Sequence, residues 1–122
     1  MACSSVAPVE GLYNLVEFFS GKPVANKEIL RLPLTKACSF KTNLLGSRGA
    51  SRVAATALIQ FNIAKNSTNF GAMTFAAGSN VGTFASSSPV AFAFGDVLTV
   101  TTPSTADATL EDLGFMLAGV VA

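Results

Sequence analysis

A chain of 122 residues and 12.5 kDa, half of them apolar, has room for one domain with its own core and is not a disordered chain. Only 12% of the residues are charged, about half of the ~25% usual in a soluble domain, so part of the surface is expected to be covered by a partner. The absence of histidine removes every catalytic arrangement that needs an imidazole and most zinc sites, and the longest strongly apolar run, 114–122, is far short of the ~18 residues of a membrane span.

The opening Met1-Ala2-Cys3-Ser4-Ser5-Val6-Ala7-Pro8 has neither the positive start nor the apolar run of a secretory signal. Residues 1–10 read as an arm without a core of its own, and 11–122 as one domain. Leu12 to Phe19 alternates as a strand, ended by Ser20-Gly21-Lys22-Pro23. Glu28 to Leu34 is a second strand with Leu30, Leu32 and Leu34 on one face, and Pro33 suggests an edge position. Ala37 to Lys41 is a third, with Cys38 and Phe40 on one face. Asn43 to Arg52, with two glycines, reads as a long loop. Ile59-Gln60-Phe61-Asn62-Ile63 is the clearest half-buried strand; with the turn formers that follow and Phe70 to Phe75, it makes 57–75 a hairpin. Val81 to Ala85 is the next strand, broken by Ser86-Ser87-Ser88-Pro89. Val90, Phe92 and Phe94 alternate with alanines as another, and Gly95-Asp96 turns the chain. Val97 to Thr101 is a β-branched strand, 103–109 a loop, and Leu113, Phe115 and Leu117 mark a final buried strand. About eight short strands, with breaks every 8–12 residues, predict an all-β fold: an antiparallel β-sandwich of jelly-roll type.

All eight basic residues lie between Lys22 and Lys65. Against Glu10, Glu17 and Glu28 they leave the first part at +5, and the remainder, with four acids and no base, at −4. The bases are scattered and only Phe40 and Phe61 are interleaved with them, so nucleic acid is not the expected partner. A basic face meeting an acidic face on a neighbouring copy or scaffold is, with Arg48 and Arg52 in the predicted loop as contact residues. Phe18 and Phe19 are neighbours that must face opposite ways on a strand; one of them therefore belongs to a second buried surface, a subunit contact. With the low charge and the uncharged run Val120-Val121-Ala122, this predicts an obligate oligomer. Cys3 and Cys38 are read as two free thiols, an inter-subunit disulfide or an intrachain disulfide.

No chemistry-bearing constellation stands out. Glu111 and Asp112 are adjacent, so on an extended chain they cannot act together as acid and base. Gly46-Ser47-Arg48-Gly49 matches neither a P-loop nor a dinucleotide fingerprint. Asn66-Ser67-Thr68 is read as turn chemistry. No enzyme activity, cofactor, metal or small-molecule substrate is expected.

Several stretches carry a resemblance: Phe61-Asn62-Ile63-Ala64-Lys65-Asn66, Gly71-Ala72-Met73-Thr74-Phe75-Ala76-Ala77-Gly78, Phe94-Gly95-Asp96-Val97-Leu98-Thr99-Val100, Pro103 to Leu110, and Phe115-Met116-Leu117-Ala118-Gly119. Together they resemble a β-sandwich structural module of tailed-bacteriophage and prophage virion proteins, over at least residues 56–119. The chain departs from that pattern at Ser67, where the family turns with glycine, and at Phe94. The resemblance implies a non-enzymatic protein of the virion surface, made in the host cytoplasm and released by lysis. Its place is a capsid decoration or cement protein; the alternative is a neck, collar or tail-fibre component contacting the host, with a surface glycan as partner. A carbohydrate-binding module is a third reading, with one tyrosine and no tryptophan to stack on sugar. The Gly95-Asp96 turn and the closing Phe115-x-Leu117-x-Gly119 are also similar to jelly-roll trimer heads of the tumour-necrosis-factor type, so the expected partners are further copies in a homotrimer and other virion proteins.

Overall fold

Period-two alternation governs most of the chain, and it produces strands. The computed structural model describes residues 12–121. It contains ten strands: β1 Leu12–Phe19, β2 Glu28–Pro33, β3 Cys38–Phe40, β4 Arg48–Val53, β5 Ile59–Lys65, β6 Thr68–Phe75, β7 Val81–Ser86, β8 Val90–Phe92, β9 Val97–Thr101 and β10 Glu111–Val121. The only helical element among the described residues is a single 3₁₀ turn over Thr42–Leu44. The fold is all-β and antiparallel throughout, as the alternation predicts.

All ten strands belong to one sheet, in the order β2-β9-β5-β6-β7-β4-β10-β3-β8, with β1 on the other side of β10. The eleven residues of β10 make it the spine. One edge pairs with β1 from Leu12↔Val120 to Phe19↔Leu113. The other edge pairs first with β4 and then with β3. Buried residues from distant parts of the sheet, among them Leu15, Ile29, Phe40, Phe61, Phe75, Leu98 and Leu117, form a single cluster. The sheet must therefore curl until its inner faces meet across one core, a sandwich-type arrangement. Phe92 lies at one centre of that core, edge-on to Phe40 at 5.6 Å and to Phe70 at 5.8 Å.

The turns follow from local chemistry. The β5–β6 hairpin closes through Asn66 and Ser67, both at positive φ (48° and 74°), the mirror-image turn that matches strand twist. Asn66 donates its backbone N–H to the Val97 carbonyl and accepts the Val97 N–H on its side-chain oxygen, both at 2.9 Å. The hairpin is thereby tied to β9.

Three sequence expectations need correction. The strands number ten rather than about eight. The stretch 43–52 is not one long loop, because its second half is β4, which places Arg48 and Arg52 on a strand inside the sheet. Phe94 does not continue β8. The carboxylate of Asp96 accepts the Ala93 N–H at 2.8 Å and Gly95 turns at φ 88°, so the chain bends and Phe94 is left 76% exposed. The edge placement of Pro33 agrees with the structure: β2 pairs only with β9, and Pro33 faces Val97.

Candidate functional site

On β1, Leu15 points into the core, so its neighbours Val16 and Phe18 cannot both be satisfied there. They point outward and are 72% and 61% exposed. The register then dictates what stands beside them. Phe18 pairs with Gly114 of β10, Gly114 with Ala50 of β4, and Ala50 with Val81 of β7. One row across four strands thus reads large, small, small, large. The next row reads Val16, Met116, Arg48. The outcome is an open apolar trough of about 480 Å³, floored by Gly114 and Ala50, walled by Phe18 and Val81, and lined also by Glu17, Arg48 and Met116. A second groove of about 490 Å³ adjoins it through Arg48, lined by Leu45, Thr83 and Phe84. Val81 and Leu45 are also largely exposed.

The polar groups around this face are held in place by the chain itself. Arg52 pairs with the Asp112 carboxylate on the same outer surface. Asp112 also accepts the Gly21 N–H at 2.8 Å while its own N–H donates to the Gly21 carbonyl at 3.0 Å. That backbone bond, followed by the one to Arg52, holds the Asp112 carboxyl below the usual carboxylate range, and the Arg52 guanidinium is raised in turn. Lys65 stands 3.8 Å from Asp96. The Asp96 carboxyl is lowered by the bond from Ala93 and then by that from Asn66.

Asp107 is the most heavily bonded acid. Partial burial pushes its carboxyl up, but backbone N–H groups of Ala57, Thr109, Leu110 and Thr56 donate to it at 2.8–3.1 Å and hold it far below the usual range. This carboxylate therefore works as a loop clamp between 56–57 and 109–110. Among the described residues, no group of three or more His, Cys, Asp or Glu stands close enough to hold a metal ion. Nor is any helix there long and apolar enough to cross a membrane.

The predicted contact residues converge. Phe18, Arg48 and Arg52 lie on one outer face, although only Phe18 was expected on a strand. Phe19 turns inward, packs partly buried against the core and takes no part. Arg52 is not free for a foreign acid, because β10 brings Asp112 beside it. The split between a basic first part and an acidic remainder is likewise partly closed within the chain: Arg52–Asp112 and Lys65–Asp96 both join the two parts. Cys38 is fully buried beside Phe40, as its period-two position predicts, and burial pushes its thiol up. Cys3 and the arm 1–10 lie outside the described residues. Sequence reasoning missed Val16, Val81, Gly114 and Met116. The available signal was in β1, where Leu15-Val16 and Phe18-Phe19 make both faces apolar. Comparison with family models, curated proteins and solved structures finds no match for the chain.

Proposed function

We propose that this protein is a non-enzymatic structural module of a bacteriophage virion, a capsid decoration or cement protein that stabilises the assembly through the outer face of β1, β10, β4 and β7. The observation that carries this reading is the open apolar trough between Phe18 and Val81. An exposed apolar surface with a polar rim is of the kind that contacts another macromolecule. Asp112, on the same outer surface, is engaged in holding the chain together: it accepts the Gly21 N–H and pairs with Arg52. The resemblance of residues 56–119 to virion β-sandwich modules supplies the identity of the assembly, and the low charge fits a protein packed among repeated neighbours.

The test is quantitative mass spectrometry of purified particles from a lysate that expresses the gene. The reading expects the protein in a copy number comparable with that of the major capsid protein. A few copies per particle would move it to the neck, collar or a fibre tip. Absence from particles would overturn the proposal.

A further inference from the structure

We propose that β1 pairs edge to edge with β1 of a second copy, antiparallel about a two-fold axis, so that the sheets of two molecules become one. The inference rests on the backbone of β1 rather than on the trough, and it does not depend on where the protein resides.

Three strands of the sheet have a single neighbour: β2 on β9, β8 on β3 and β1 on β10. In such a strand every second residue turns its N–H and C=O away from the neighbour, a row of groups that can template a further strand. Two of the three edges carry devices that discourage this. β2 is broken by a register shift between Glu28 and Leu30, bears the exposed Arg31–Glu28 ion pair and ends in Pro33. β8 is three residues long, follows Pro89, and its Ala91 carbonyl accepts the Lys65 ammonium at 2.6 Å. β1 has none of these devices. Its eight residues run in unbroken register against β10, without lysine, arginine, proline or bulge, and Glu17 is its one charge. Among the described residues, no backbone hydrogen bond joins β1 to any element other than β10.

What fits this edge follows from the side chains. Directly opposed residues of an antiparallel pair point to the same side of the sheet. Val16 and Phe18 stand exposed on the outer side of β1, while Leu15 is buried and Tyr13 and Phe19 partly buried on the inner side. β1 is therefore apolar on both faces, and the strand that joins it must be so too. A strand of ordinary alternation, apolar on one face, would set polar groups beside one of the two apolar rows. A second β1 meets the condition. About a two-fold axis its outer residues lie beside outer residues and its inner beside inner, and each backbone edge answers the other with the same surface. Axes through Leu15 or Val16 place Glu17 opposite Tyr13 or Leu15 of the second copy. Only an axis through Glu17 sets the two carboxylates face to face, and that register is disfavoured.

The experiment is sedimentation velocity of the full chain across the micromolar range, with hydrogen-exchange mass spectrometry of β1 and circular dichroism as the check on folding. The parent is expected to be a dimer in which the β1 amides exchange slowly on both edges of the strand. V16K, at an exposed position, brings two like charges close together across the new ladder and is expected to weaken the dimer roughly tenfold or more. About half of the β1 amides should then exchange fast, those that face away from β10. Should V16K fail to fold, F18K at the next outward position decides. G114L fills the trough but leaves the β1 edge as it is, so the dimer should persist. A parent that is monomeric or trimeric, a dimer indifferent to V16K and F18K, or a dimer lost in G114L overturns the proposal. So does a monomer whose β1 amides are all slow, which would mean that the edge is covered within its own chain.

Discussion

Phe18 lies directly opposite Gly114 in the β1–β10 ladder, with a ring carbon 3.8 Å from the point where a β-carbon on Gly114 would stand. That is an ordinary van der Waals distance, so the position tolerates a methyl group. Replacing a strand glycine by alanine reduces the freedom of the unfolded chain. G114A is therefore expected to stabilise the fold by about 0.5–1 kcal/mol, read as a higher urea midpoint. G114L, at the same outward-facing position, should leave the fold intact. A fall in midpoint for G114A would mean that the outer face is already covered in the monomer.

Gly119 sits five residues along the same strand and behaves in the opposite way. A β-carbon there would stand 2.9 Å from the Phe40 ring and 2.9 Å from the Tyr13 carbonyl oxygen. The carbonyl belongs to the backbone of a paired strand and cannot swing aside. G119A is expected to cost about 1–3 kcal/mol as an overpacked core position, with a lower denaturation midpoint and unchanged slope. Equal stability of G119A and the parent would contradict the packing described around Phe40.

The Asp107 clamp makes stability depend on pH. Its folded-state carboxyl lies below its unfolded value, so its contribution is complete above about pH 5 and is lost as pH falls below about 4 toward the depressed folded value. D107A is expected to destabilise by about 2 kcal/mol at neutral pH, and D107N by less, because the amide oxygen still accepts. The acid limb of unfolding between pH 5 and 3 should flatten in both variants. An acid limb as steep in D107A as in the parent would place the pH sensitivity elsewhere.

Cys38 has no exposed surface and a raised thiol, which makes it a poor nucleophile in the folded protein. A neutral-pH thiol reagent followed by peptide mapping is expected to leave Cys38 unmodified in buffer and modify it in denaturant. The burial also argues against an inter-subunit staple through this sulfur. On a non-reducing gel of the assembled protein, a ladder of covalent oligomers that disappears in C38S would show the opposite.

Most strands were legible because alternation and turn residues coincide, as in Ile59 to Phe75. β4 was not, and the reason is packing. Its inward positions must be small: a β-carbon on Gly49 would meet the Met73 sulfur at 2.8 Å, and Ser51 is buried opposite Leu113. The result, Arg-Gly-Ala-Ser-Arg, carries no apolar period and reads as a loop. Phe94 failed in the opposite sense, because the Phe92-Ala93-Phe94 alternation runs on past the point where the Ala93–Asp96 bond stops the strand. The contact face was half legible. The apolar pairs of β1 require a second surface, but the neighbours on that surface depend on the register of β10 with β4 and of β4 with β7, which no local pattern encodes.

Hydroxyl-radical footprinting of the assembled and dilute protein reads whether the β1–β10–β4–β7 face is where the protein makes its contacts. Val16, Phe18 and Met116 are expected to be oxidised in the dilute protein and protected in the assembly. Phe94, exposed but outside the face, should react equally in both. Protection of Phe94 with no change at Val16, Phe18 and Met116 would place the contact surface elsewhere on the molecule.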